Sequence, residues 1–406
     1  MVCTMKSKLE EYFAKFHPRN FKFTKMTAFF IAVTLAMAGM VLFSAISRET
    51  EFSTKNQLLH DAVEYVPGRV LEVVSEQTSI GTHGIRTGSQ YLSVQILKGE
   101  MKGEVYEVLN HLHAESSVYA KKGQILNMYL SYNIEDPSIF YVYVSSPERS
   151  YINYIIIGIF IIFLSVVGGQ TGMRSVFGLA FTFVTIIFLL IPLIVREWPP
   201  IPTTMGLSIA MMAVSLISIL EFTKKTFVSV ISTMSGIIFC CGFYFIFSAA
   251  LSIFGYHAVD LDYMQVVMVN SGIGVGDFLF CAILISSLGG LIDIAVSVST
   301  SINEIALSNP NSTFNDLFRS GIIVGRDNTA SMANTMILAF TGTFFISLVS
   351  MRIGGANFSA IINSSDIAIE IIRAVSATLA LVLVAPITAF VAAHVYRGGV
   401  TKVLQK

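Results

Sequence analysis

Apolar residues follow two patterns along this chain. Over most of its length they run on in long blocks, whereas between about residues 48 and 150 they alternate with polar ones. A block of ~20 apolar residues is what a helix needs to cross ~30 Å of hydrocarbon. The first such block runs from about Met26 to Ile46, and others cover roughly Tyr151–Val167, Ser175–Val195, Ile201–Leu220, Phe227–Phe254, Phe278–Thr300, Met332–Met351 and Ala368–Tyr396. The expected fold is therefore an α-helical polytopic membrane protein of about eight spans with a small all-β, barrel-like domain inserted after the first. The first block is too long and begins too late for a cleaved signal peptide, and no small-x-small site follows it.

The alternating region predicts strands at Arg69–Val74, Tyr91–Leu97, Val105–Leu109, Ile125–Tyr132 and Phe140–Val144. Gly99 and Gly103 bracket one turn, and Lys122-Gly123 marks another. Five short strands separated by glycine turns fit a small OB-like barrel, with a sandwich as the alternative. The division expected is a basic tail over 1–25, a span over 26–46, the β domain over 47–150, a seven-helix domain over 151–396 and a second tail over 397–406.

Charge adds an orientation. Lys6, Lys8, Lys15, Arg19, Lys22 and Lys25 precede the first span, and Arg397, Lys402 and Lys406 follow the last. Basic residues collect on the cytoplasmic side, so both tails are expected inside and the β domain outside. Arg174, Lys224/Lys225, Arg319 and Arg326 then also fall inside, which an even number of spans requires. Trp198, the single tryptophan, reads as an interfacial anchor. Net charge is zero, with no basic surplus for nucleic acid. Of the four cysteines none lies in the β domain, so that domain folds without disulfides, and Cys240 and Cys241 read as packing residues.

Candidate chemistry lies where polar groups interrupt the apolar blocks, because such groups usually face a bundle interior or water. In the sixth span Asp293 is followed by Ser297, Thr300 and Glu304, offsets that keep all four on one helical stripe. That stripe lines a polar path, or else joins two helices. Arg326 is a possible partner for Asp293 or Glu304, or else a topological anchor with Asp327 capping the seventh span, which also contains Asn334-Thr335. Glu370 and Arg373 open the eighth span three residues apart, as an intrahelical ion pair or part of an outer gate. Pro386 is expected to kink that helix. Asn270–Gly276 reads as a tight turn with Asp277 as an N-cap. In the β domain His111, His113 and Glu115 alternate and are weak metal candidates beside a solvated strand face; no cofactor is expected.

The residues from about Gly68 onward resemble the YibE/F-like family of bacterial membrane proteins. The resemblance rests on Asp293 with Glu304, Gly325-Arg326-Asp327, Asn334-Thr335, Leu338-Ala339-Phe340-Thr341-Gly342, Glu370-Ile371-Ile372-Arg373 and Ala385-Pro386-Ile387-Thr388. Where the family often has a Pro- and Leu-rich run, this chain has Thr343-Phe344-Phe345-Ile346, which leaves the local bend open. The resemblance implies a multi-pass protein of the bacterial plasma membrane and carries no established activity. Members of longer and shorter kinds would allow a homo- or hetero-oligomer with a related membrane protein.

An enzyme is not expected: no HExxH, P-loop or Ser/His/Asp set appears, and His257 and His394 are isolated. The expected function is that of a transporter or permease for a small solute or ion, with Asp293, Ser297, Thr300, Glu304, Arg326, Asp327, Asn334, Glu370 and Arg373 along its path. The alternative is a receptor or assembly partner that binds through the β domain.

Overall fold

The computed structural model describes residues 25–55, 61–80, 86–99, 101–112, 118–133, 140–252 and 275–397. The chain forms two compact units, one of residues 1–44 with 173–406 and the other of residues 45–172. The elements are α1 (Lys25–Lys55), β1 (Asp61–Ile80), β2 (Arg86–Ile96), β3 (Val105–Leu112), β4 (Ile125–Asn133), β5 (Phe140–Pro147), α2 (Ser150–Thr185), a π-helical turn (Ile186–Leu190), α3 (Ile191–Val195), α4 (Pro200–Leu220), α5 (Lys224–Ala250), α6 (Val275–Ser308), α7 (Phe314–Thr343), α8 (Phe345–Ile353), α9 (Phe358–Ile362) and α10 (Ser365–Tyr396).

All five expected strands are present, and they form one antiparallel sheet in the order β3-β2-β1-β4-β5. The long strand β1 holds it together. Its first half pairs with β4 from Asp61 to Arg69, and its second half pairs with β2 from Gly68 to Ile80. Register shifts at Val70/Glu72 and Val73/Ser75 bend it where it changes partner. The curl brings β3 near β5 without a hydrogen-bonded ladder between them, so the sheet is a half-barrel. Inward positions alternate as the pleat demands, and Val66, Val70, Leu92, Val94, Ile96, Leu126, Met128 and Leu130 fill the core.

One polar residue occupies an inward position of β2. Gln90 is fully buried, and its Oε1 accepts from the Ala120 N–H at 2.9 Å and from Asn110 Nδ2 at 3.2 Å. Its Nε2 donates to Glu76 Oε2 at 3.1 Å and to the Ala120 carbonyl at 3.2 Å, and Asn110 donates to the Val118 carbonyl at 2.8 Å. This network fixes the segment entering β4, which has no ladder of its own.

Among the described residues six helices are long and apolar enough to cross a membrane, or seven if the α7–α8 pair, bent by 50°, is one broken span. The blocks Tyr151–Val167 and Ser175–Val195 join into one 46-residue helical stretch, Ser150–Val195. It is broken at Gly169, whose backbone leaves the helical region at φ 57°, ψ −137°. A left-handed φ of that kind suits a residue without Cβ. Further on, Pro192 cannot supply the N–H its helix position calls for, and the π-helical turn just before it takes up the irregularity. Between α7 and α8 the chain breaks at Phe344, within the Thr343–Ile346 run whose bend the sequence leaves open.

The bundle packs around α10, which lies against α5, α6 and α7. Its buried positions are mostly small: Ser376, Ala377, Ala380, Ala385, Thr388, Ala389, Ala392 and Ala393. Glycines of α7 let it approach closely. A Cβ on Gly321 would sit 2.8 Å from Ala389 Cβ and 2.5 Å from Ile302 Cδ1, and one on Gly325 would sit 3.2 Å from Ala385 Cβ. Two glycines four apart thus meet two alanines four apart. Around them Phe314 and Phe318 stack at 5.8 Å, and each meets Phe390 edge-on. Phe314, Leu317, Phe318 and Ile322 thus pack within the bundle. Helix α10 runs through Pro386 as one element.

Two consequences are measurable. Replacing Gly321 by Val should cost the bundle about 1–3 kcal/mol through overpacking against Ala389. This is read as a lowered thermal midpoint in detergent, with Gly242→Ala, whose Cβ meets nothing within 4 Å, as the silent control. Gln90→Leu leaves the Ala120 N–H without its acceptor at a cost of about 1–3 kcal/mol. Amide exchange at Ala120 should then quicken, and unchanged exchange would mean that the network does not hold this segment.

Candidate functional site

The most deeply packed stretch of α6 carries Leu291, Ile294, Ala295, Val298 and Ile302, all fully buried. Helical periodicity turns the intervening residues to the outside. Ala282, Ser286, Gly289 and Asp293 form an exposed edge, continued by half-buried Ser297 and Thr300 and by exposed Glu304. The expected stripe is real, but its members meet different neighbours. Ser297 Oγ accepts from Asn328 Nδ2 of α7 at 2.7 Å. Glu304 Oε1 takes Lys225 Nζ of α5 at 3.0 Å. The Thr300 hydroxyl is buried without a hydrogen-bond partner among the described residues. Asp293 stands on the bundle surface, above the Ser297–Asn328 seam.

The proposed pairing of Arg326 with Asp293 or Glu304 does not occur. Glu304 is taken by Lys225, and no ion pair found among the described residues joins Arg326 to either acid. The reason is rotational. Arg326 and Asn328 are two residues apart, about 200° around the helix, so with Asn328 facing α6 the arginine faces away. It lines a groove of about 420 Å³ between α7 and α10, with Gly325, Thr329, Ala330, Val382 and Pro386. Asp327 is not a helix cap. Helix α7 starts earlier, at a capping box in which the Asp316 N–H donates to Thr313 Oγ1 at 3.3 Å and the Thr313 N–H donates to Asp316 Oδ2 at 3.0 Å. Asp327 and Asn334 both lie exposed in mid-helix.

At the opposite end of the bundle from Glu304, Glu370 and Arg373 form the expected i,i+3 pair. Arg373 Nη1 donates to both carboxylate oxygens, at 2.9 and 3.2 Å. Arg373 Nε is buried with no hydrogen-bond partner among the described residues. Arg174, within α2, also pairs with Glu221 just past the end of α4. The two lysines of Lys224/Lys225 read from sequence as topological charge, and nothing in the spacing pointed Lys225 at a residue 79 positions away.

The metal reading of the β domain gains no support. His111 sits exposed on β3 opposite Ser89, and His113 and Glu115 lie outside the described residues. Among the described residues no three His, Cys, Asp or Glu side chains converge. Asn270 to Gly274 also lies outside them, and α6 begins at Val275, so Asp277 stands in its first turn and not at a cap.

One surface went unread in the sequence. Tyr65, Tyr129 and Tyr143 stand side by side across β1, β4 and β5. Tyr65 and Tyr129 meet edge-on at 5.3 Å, Tyr129 and Tyr143 lie at 6.2 Å, and Tyr141 stacks on Tyr143 at 6.2 Å with 21° between the rings. Tyr65, Tyr141 and Tyr143 are 58%, 55% and 47% exposed. The alternation of the strands placed these tyrosines on one face, but only the register aligned them in a row.

No curated protein and no solved structure matches the chain. A family match does exist over residues 156–398, which covers the bundle described above and more than half of the sequence. The chain belongs to the YibE/F-like protein family.

Proposed function

We propose that the chain is a multi-pass transporter of a bacterial plasma membrane that moves a small polar solute or ion along the outer edge of α6. The observation that carries this reading is the stripe itself. A carboxylate at Asp293, the Ser297–Asn328 seam and the Glu304–Lys225 pair descend one face of a helix whose other faces are packed shut. Ionisable groups in spans are costly and concentrate on substrate and ion paths. The Glu370–Arg373 pair provides polar groups toward the far side.

The topology that goes with it has eight crossings: α1, two from Ser150–Val195 divided at Gly169, α4, α5, α6, the bent α7–α8 pair and α10. Both tails are then cytoplasmic and the β domain is outside. A second reading, favoured by the exposed tyrosine row, makes the β domain a binding module and the bundle its anchor. Exposed aromatic clusters commonly mark interaction surfaces.

In proteoliposomes carrying a pH-sensitive dye, Asp293→Asn should lower solute-dependent proton flux by about tenfold or more if this carboxylate lies in the path. A flat response in both proteins, each correctly folded, would move the assignment to the β domain. Topology has its own test. A cysteine at Gln77 should react with an impermeant thiol reagent on intact cells, and one at Asn309 only after lysis. The reverse pattern would invert the orientation.

A further inference from the structure

We infer that the Asp293 edge of α6 is completed by a second copy of this chain, whose α7–α10 groove receives it and sets Arg326 against Asp293. This rests on the same placement of α6 within the membrane that the transport reading uses, and it names what covers that site.

The edge lacks something that the groove has. Ala282, Ser286, Gly289 and Asp293 are exposed in succession, and a Cβ on Gly289 would meet nothing within 4 Å. Asp293 forms no ion pair among the described residues. A carboxylate turned to hydrocarbon is costly, and among the described residues Asp293 remains exposed on α6. The small residues beside it permit another helix to come close.

The groove lacks the reverse. It presents Arg326, which has only donors. Thr329 also lines it, with its hydroxyl buried beneath the surface. Ala330, Ala333, Ala385 and Pro386 keep its walls low. An arginine therefore lacks an acceptor on one face, while a carboxylate lacks a donor on another.

Depth agrees. Gly325 lies beside Val298 and Gly321 beside Ile302, so α6 and α7 run antiparallel and Arg326 is level with about residue 297 of α6. Asp293 is one helical turn away, roughly 6 Å, within an arginine's reach. Copies related by an axis along the membrane normal keep their depths, so the Asp293 of one faces the Arg326 of the next. Because the two faces differ, the contact is heterologous and closes as a ring.

The test co-expresses two differently tagged full-length copies, one carrying Gly289→Cys and the other Ala333→Cys. A disulfide between the tags is expected on mild oxidation, and none when Ile238→Cys, on an exposed face of α5, replaces the first. Native mass measurement supplies a second readout. Asp293→Arg or Arg326→Asp alone should reduce the assembly to monomer, and the two combined in one chain should restore it. Equal crosslinking with the control pair overturns the inference. So does an assembly indifferent to both single swaps, or a monomer with only lipid bound in the groove. Flux is scored separately. A ring without flux leaves the interface standing and sinks the transport reading, whereas flux from a monomer does the opposite.

Discussion

A polar atom surrounded by hydrocarbon must find a partner nearby or be expensive to keep. Most of the bundle's polar side chains obey this constraint locally. Ser218, Ser232 and Thr388 donate to the carbonyls of Val214, Val228 and Val384, each four residues back on its own helix, at 2.7 to 2.8 Å. Others bond between helices, as Ser299 does with Tyr396 at 3.0 Å. Glu370 and Arg373 neutralise one another within a single turn. Once these groups are accounted for, the residues left over are few, and Asp293, Arg326 and Thr329 are conspicuous among them.

Packing by small residues makes the bookkeeping possible. Where Gly321 and Gly325 meet Ala389 and Ala385, the backbones come close enough that dispersion and not hydrophobic transfer must supply the attraction. The same closeness fixes the rotation of α7. Turning Gly321 and Gly325 toward α10 and α6 puts Asn328 on the Ser297 side and Arg326 on the other. The site geometry is thus set by glycine placement as much as by the charged residues themselves.

The sequence made the coarse architecture legible because its two periodicities are so different. Continuous apolar blocks and alternating strands cannot be confused, and the five strands fell where alternation predicted. Boundaries set by single residues were harder. The helix start at Thr313 depended on a capping box hidden in a polar segment, and the join of Ser150–Val195 depended on a glycine breaking a helix instead of a loop separating two. Pairings across long separations, such as Lys225 with Glu304 or the row of three tyrosines, arise from tertiary register that one-dimensional spacing does not encode.

The central helix of the bundle, α10, leaves the ribosome only after α5, α6 and α7. Helices α5, α6 and α7 must therefore enter the bilayer while the surface they share is still missing. Until α10 emerges, the glycine face of α7 and the groove beside Gly236 have only lipid or a chaperone against them. Helices α5, α6 and α7 touch one another directly, but the faces they share with α10 are covered only once it arrives. A lesion late in the chain, though distant from the β domain in sequence, would strand every earlier span in an unfinished and degradable state.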